Sequence, residues 1–206
     1  MSGRPGRPPF GSARTPWREA AFASLDFETT GLDLDRDDVV SFGVVPVDGG
    51  LVHPGDATYR VVAPSVALTG ETIVVHGLRP TDVSQAPTMT EVADDLRRAL
   101  DGRYVLAWSA QIEAAFLART FGGSSRRWRH RIIDVLRLAI LVDGSDPRGR
   151  DFSLTAVAGR LGVPVEDPHH ALDDALTTAE VFLVLLPELE RRGIGTPRRL
   201  LRAGRA

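Results

Sequence analysis

The chain has 206 residues, 43% hydrophobic and 25% charged, with a formal net charge of −2, the proportions of one soluble globular domain with a sizeable core. No apolar run approaches the ~18 residues that a membrane span needs. The segment Met1–Glu19 lacks the apolar stretch of a secretory signal. The absence of cysteine removes disulfides, thiolate metal ligands and thiol nucleophiles. Together these absences set a cytoplasmic, membrane-free expectation. Residues 1–20 carry four arginines against Glu19 (+3), and residues 187–206 six against Glu188 and Glu190 (+4), so the middle is −9. An acidic body with basic ends does not suit a protein that grips duplex DNA through a broad positive surface. It suits a body with an acidic cleft that holds cations.

In chain order, residues 1–17 are rich in Pro, Gly, Ser and Arg and read as a disordered basic tail. The folded domain is expected over 18–190, with a frayed basic tail over 191–206. "AAFASLDFE" reads as a buried strand, "DDVVSFGVVPVD" as a second ending at Asp48-Gly49-Gly50, and "ATYRVVAP" as a third, giving an antiparallel meander. The period then changes. "TGETIVVHGL" reads as a short helix, and "TMTEVADDLRRALDG" as a capped helix with a glycine stop. "RYVLAWS" is a fourth strand, "AQIEAAFLARTFGG" a helix, and "HRIIDVLRLAILV" a short strand running into a helix. "SLTAVAGRLGV" and "ALDDALTTAEVFLVLLPEL" are helices, the last with Leu172, Ala175, Leu176, Ala179, Leu183 and Leu186 on one face. The order predicts an α/β fold, a mixed sheet with helices on both faces.

In "SLDFETTGLD", Ser24–Asp33, Asp26 and Glu28 stand two apart on a strand and so project to one side, with Phe27 turned into the core. Paired carboxylates repel and need a shared proton or a cation, and oxygen-rich sites favour Mg²⁺ or Mn²⁺. A pair of acids at a solvated strand end has the same spacing. The Thr29-Thr30-Gly31 turn that follows offers hydroxyls, N–H groups and a glycine to a closely approaching phosphate or sugar.

With that turn the stretch "DFETTGLD" resembles the first motif of the DEDDh (DnaQ-like) 3′–5′ exonucleases, which include polymerase proofreading subunits, ribonuclease T and oligoribonuclease. Their third motif, a His followed five residues later by an Asp near the start of a long helix, is matched by His169 and Asp174 in "HHALDDALTTAEVFL". His170 stands at the wrong interval. Their second motif, His-Asn-x-x-Phe-Asp, is matched in position by "AWSAQIEAAFL", where Trp108 and Ser109 replace His-Asn and Glu113 stands for the Asp. "VVHGL" resembles the segment in which a histidine, here His76, approaches the 3′ nucleotide. "IIDVLRLA" resembles an Ile-Asp-Thr-Leu segment, with Asp134 as a cap or supporting residue. The resemblance covers about Ala20 to Pro187 and implies a ribonuclease H-like fold with a five-stranded mixed sheet.

The resemblance also implies a mechanism. Two Mg²⁺ or Mn²⁺ ions would be held by Asp26, Glu28 and Asp174, with Glu113 completing the shell and His169 as general base. The reaction would be hydrolysis at the 3′ end of DNA or RNA, expected single-stranded, with release of nucleoside 5′-monophosphates. Thr29, Thr30, Gly31, His76 and Trp108 are the expected substrate contacts, Trp108 either stacking a base or packing beneath the site. "SSRRWRHR", residues 124–131, offers four arginines around Trp128, suited to phosphate and base stacking or to a solvated loop. The altered second motif leaves a catalytically impaired nucleic-acid-binding relative as the alternative, and a scaffold domain with surface acids as a third class. No polymerase or repair partner is identifiable from the sequence.

Overall fold

The structure, a computed structural model, describes residues 14–205 except Leu32 and Thr69. The expected N-terminal tail falls outside these residues up to position 13. Trp17 does not belong to a tail: it is buried in the core, and its backbone N–H donates to the Gly195 carbonyl (3.0 Å). A large indole removed from water outweighs the Pro/Gly-rich context on its N-terminal side.

Strands β1 (Ala21–Thr29) and β2 (Val39–Asp48) form the long antiparallel pair. The expected third strand is β4 (Thr58–Val61), and a further, unexpected short strand, β3 (Leu51–Val52), also pairs with β2, the two separated by a 3₁₀ turn at Pro54–Asp56. The expected five-stranded sheet therefore has six strands in five positions, because Pro54 cannot donate to the ladder. Helices α1 (Gly70–His76), α2 (Pro80–Val83) and α3 (Met89–Leu100) follow. The Glu91 carboxylate accepts from the N–H and hydroxyl of Thr88 at the start of α3, both at 2.7 Å. Strand β5 (Tyr104–Ala107) lies parallel to β1. After it come α4 (Ala110–Phe121), a short α5 (Ser125–Arg129), β6 (Ile132–Asp134) parallel to β5, and α6 (Val135–Asp143). Then come α7 (Leu154–Leu161), the long α8 (Ala171–Arg191) and α9 (Pro197–Ala203). The sheet order is β3-β2-β1-β5-β6.

The strand alternation sorts the core into two layers. Ala23, Leu25 and Phe27 of β1 pack with Phe42, Val44, Leu96 and Phe116 on the α3/α4 side. Phe22 packs with Leu106, Phe182 and Leu186 on the other side, against α6–α9. Ser24, Asp26 and Glu28 share the period of Phe22 and therefore face α8. On α8 the buried stripe is Ala171, Ala175, Ala179, Phe182, Leu186 and Leu189. The expected Leu172, Leu176 and Leu183 are only half-buried, because the stripe drifts along a straight 3.6-residue helix. The expected frayed tail over 191–206 contains α9, whose Leu200 is fully buried. Among the described residues no helix is long and apolar enough to cross a membrane.

Candidate active site

β1 ends where α8 begins. Gly43 of β2, the partner of Asp26 in the ladder, sits directly beneath the start of α8. A Cβ there would meet the Ala171 carbonyl oxygen at 2.4 Å and the Leu172 Cα at 2.5 Å. The missing side chain lets the α8 N-terminus descend onto the sheet and carries Asp174, in its first turn, to the β1 acids. A glycine inside the apolar run "SFGVV" is the sequence signal of such close backbone approach, and reading for catalytic side chains alone passed over it.

His169, in the loop before α8, is the single non-glycine residue with positive φ (66°) among those described. Its N–H donates to Asp174 Oδ2 at 3.1 Å, which holds the backbone in the left-handed region and leaves the imidazole exposed. Such strain concentrates at functional sites. One ligand atom each of Glu28, His169 and Asp174 lies within 4.8 Å of the others. His170 turns away, with Nδ1 2.8 Å from Asp173 Oδ2 and its ring 4.6 Å from that of Tyr59, centroid to centroid.

The electrostatics show what the cluster lacks. Burial pushes Glu28 up to about 9, and the charges of Asp26 and Asp174 add to it. Burial and then Asp174 raise Asp26 well above the carboxylate range. Asp174 is raised by burial, against the pull of the His169 N–H and imidazole. Glu113, in the first turn of α4, is raised by burial and then by Asp26. It is buried, and its Oε2 has no hydrogen-bond partner. Glu113 thus couples to Asp26 rather than joining Glu28, His169 and Asp174. The acids have burial and one another as neighbours, a setting in which either protons or cations must supply the missing positive charge. Carboxylate oxygens with one imidazole fit a hard divalent ion, and the unpaired Glu113 Oε2 leaves a further oxygen free.

The other expected site residues divide. Thr30 is buried: its hydroxyl donates to Asp37 Oδ1 (2.9 Å) and accepts from the Asp38 N–H (3.0 Å), while its own N–H donates to the Asp38 carbonyl (2.9 Å). Its hydroxyl and N–H are both spent on locking the turn. A Cβ at Gly31 would stand 2.4 Å from Asp37 Oδ2, so the carboxylate that holds Thr30 would have to move. The Thr29 hydroxyl donates to the Gly31 carbonyl at 2.7 Å. His76 is buried, with Nδ1 accepting from the Leu78 N–H (3.1 Å), Nε2 unpaired, and its pKa lowered by burial. Trp108 is half-buried and packs on the cluster of Phe22 and Phe182. Trp128 is buried and donates from Nε1 to the Gly122 carbonyl (3.0 Å), which removes it from base stacking. Asp134 is the cap expected of it: Oδ1 accepts from the Arg137 N–H (3.0 Å) and Oδ2 from the Ala110 N–H (3.2 Å), tying α6 to the start of α4.

The sequence profile of the RNase_T family, described as exonuclease, matches residues 24–182, an interval that holds all four acids and His169. The chain belongs to this exonuclease family. Among curated relatives of this exonuclease chain, a DNA polymerase III subunit epsilon-like protein of Rhodobacter capsulatus is 32% identical over 89% of the chain and 26% of the relative. A DNA polymerase III PolC-type of Thermotoga maritima is 30% identical over 85% and 12%. A 3′-5′ exonuclease DinG of Staphylococcus epidermidis is 25% identical over 88% and 20%. The chain thus spans about a quarter or less of the length of these relatives. The exonuclease fold is shared with solved structures. The nuclease domain of 3′hExo, a DEDDh family member bound to rAMP, superposes with TM-score 0.69 at 17% identity, covering 85% of this chain and 94% of that one. Escherichia coli exonuclease I in complex with a dT13 oligonucleotide superposes with TM-score 0.71 at 15% identity, covering 84% and 42%. The fold is the ribonuclease H-like fold of these enzymes, as the motifs implied.

Proposed function

We propose that the chain is a metal-dependent 3′–5′ exonuclease that hydrolyses the terminal phosphodiester of DNA or RNA and releases nucleoside 5′-monophosphates. The observation that carries this reading is the convergence of Glu28, His169 and Asp174, with Asp26 coupled to them, in a cluster that no arginine pairs with among the described residues. Membership of the exonuclease family and the relative named 3′-5′ exonuclease support it. Asp26, Glu28 and Asp174 would hold two Mg²⁺ or Mn²⁺ ions, with Glu113 supporting Asp26. Bound there, divalent ions supply Lewis-acid neutralisation of the phosphate charge and a water that is easier to deprotonate. His169, exposed at the mouth and anchored through its backbone to Asp174, accepts the proton of the attacking water. The water oxygen bonds to phosphorus as the bond to the 3′-oxygen of the penultimate nucleotide breaks, and no covalent enzyme intermediate is required. The locked Thr29-Thr30-Gly31 turn holds the end of β1 in place beside the terminal nucleotide.

The second reading, an impaired nucleic-acid-binding relative, is favoured by Glu113, which stands where the family pattern has Asp and whose Oε2 is unpaired. One experiment separates the two. Oligonucleotides of DNA and of RNA, labelled at the 5′ end, are incubated with wild type or Asp26→Ala in Mn²⁺ or EDTA. The expected result is a ladder shortening from the 3′ end with wild type and Mn²⁺, reduced on the order of a thousandfold in Asp26→Ala, as loss of several kcal/mol of charge stabilisation requires. No ladder on either polymer, with Mn²⁺ still raising the melting temperature, favours the binding reading. Wild-type turnover by Asp26→Ala sinks the metal assignment.

A further inference from the structure

A pocket of about 330 Å³ lies where α5, the end of β6 and the end of α9 meet. Arg126, Arg129, His130 and Arg205 line it, with Asp134 and Ala110 on its inner wall. The arrangement is built rather than incidental. Trp128 turns into the core and hydrogen-bonds Gly122, which leaves Arg126 and Arg129 on the exposed side of α5. The Ser124 hydroxyl caps α5 by accepting from the Arg127 N–H at 3.3 Å. The Arg205 guanidinium donates to the His130 carbonyl at 2.7 Å and joins α9 to the same rim.

Many arginines elsewhere on the chain are neutralised, for example Arg60 by Asp95, Arg103 by Asp48 and Arg192 by Glu188. The guanidinium groups of Arg126 and Arg129 have no ion pair or hydrogen bond among the described residues. Asp134, the one acid in the pocket, already accepts from Ala110 and Arg137 and draws Arg129 only at range. Three arginines against one engaged carboxylate give a positive pocket on a chain whose net charge is −2. Planar guanidinium forks left unpaired match phosphate oxygens.

The position suggests which phosphate. Asp134 pairs with Ala107 in the parallel β5–β6 ladder, at the same end of the sheet as Asp26 on the next strand but one. At ~4.8 Å per strand the pocket lies roughly 10 Å across the sheet from the β1 acids. Ala110 and Asp134 form its wall and also the support of α4, which carries Glu113.

We propose that this pocket binds the phosphodiester backbone of the strand whose 3′ end lies at the acids, about two to three nucleotides upstream of the terminal one. The inference rests on the exonuclease reading above for the placement of that end. The test measures binding in EDTA, where no cleavage occurs, by fluorescence anisotropy of 5′-labelled single strands of about 20 and about 2 nucleotides, the shorter too short to reach from the acids to the pocket. In Arg126→Ala/Arg129→Ala the affinity advantage of the long strand over the short one falls at least about tenfold. The slope of log affinity against log salt falls by about 1.4, from ~0.7 for each of two lost phosphate contacts. Arg97→Ala/Arg98→Ala, with the same charge loss on α3, keeps both. An unchanged advantage in the pocket variant, or an equal loss in the α3 variant, overturns the proposal. So does displacement of the long strand by inorganic phosphate at constant ionic strength, which would assign the pocket to a free anion. Wild type that binds with the length advantage but cuts neither polymer would sink the exonuclease reading and leave the pocket standing. Cutting without a pocket effect would do the reverse.

Discussion

With its carboxyl pushed up to about 9, Glu28 carries a proton across the neutral range when no cation is present. Its folded value lies above the ordinary 4.5, so the folded protein holds the proton more tightly than the unfolded chain. The stability this contributes is complete below pH 4.5 and is lost as pH rises through about 9. A cation that binds the ionised cluster opposes that loss. Melting temperature in EDTA is therefore expected to fall between mildly acidic and mildly alkaline pH, to fall less with Mn²⁺, and to fall less in Glu28→Gln. Identical pH profiles with and without Mn²⁺ would remove Glu28 from the metal site. His169 offers a second test at this scale. His169→Gly keeps the backbone at a φ of 66° without strain while removing the imidazole. Stability in urea is expected to be unchanged or raised by about 1 kcal/mol, while turnover falls by about 10²–10⁴. Retained turnover would show that the residue serves the turn and not the chemistry.

Among the elements, the junction of β2 with α8 decides whether the site exists. Each acid could sit on a well-formed strand or helix and still miss the others if α8 were lifted from the sheet. Gly43→Ala places a Cβ against backbone atoms of Ala171 and Leu172, which have no flexible end to move aside. A cost of about 1–3 kcal/mol is expected in urea unfolding, together with lower turnover and weaker Mn²⁺ stabilisation, because Asp174 and the His169 loop move with the helix. Loss of stability with undiminished Mn²⁺ binding would show that the junction supports the fold alone. The alternation of β1 and the His-to-Asp interval were legible in the sequence. The glycine beneath Ala171 was visible as a residue, but its partner is 128 positions away in the chain, and no local pattern connects them.

Across the whole molecule, segments near both ends of the described residues close the layer that supports the site. Trp17 and Leu200 join the core cluster of Phe22 and Phe182. Gly204 rests on the backbone of Asp134, where a Cβ would stand 2.9 Å from its nitrogen. Composition made both ends read as tails, since six arginines and three glycines within 187–206 resemble a solvated segment. The burial of Leu200 outweighs that composition, with the arginines of α9 left at the surface. Leu200→Ala is expected to cost about 2–5 kcal/mol, read as a lower urea midpoint at unchanged slope. A cost below about 0.5 kcal/mol, the range of surface substitutions, would restore the tail reading.

By itself the sequence singled out the residues proposed to carry the chemistry and determined which way they point from their own elements. Asp26 and Glu28 share a face because strand geometry has period two, and Asp174 follows His169 at an interval set by a loop and the first turn of a helix. It also determined the order of the longer strands and helices from β1 to α8, since apolar spacing and glycine stops are local signals. Tertiary structure alone decided that these elements meet, that Thr30 and Trp128 turn inward, and that Arg126, Arg129 and Arg205 share one rim. Those outcomes depend on contacts between distant segments, where burial of an indole or approach of two backbones outweighs what the neighbouring residues prefer.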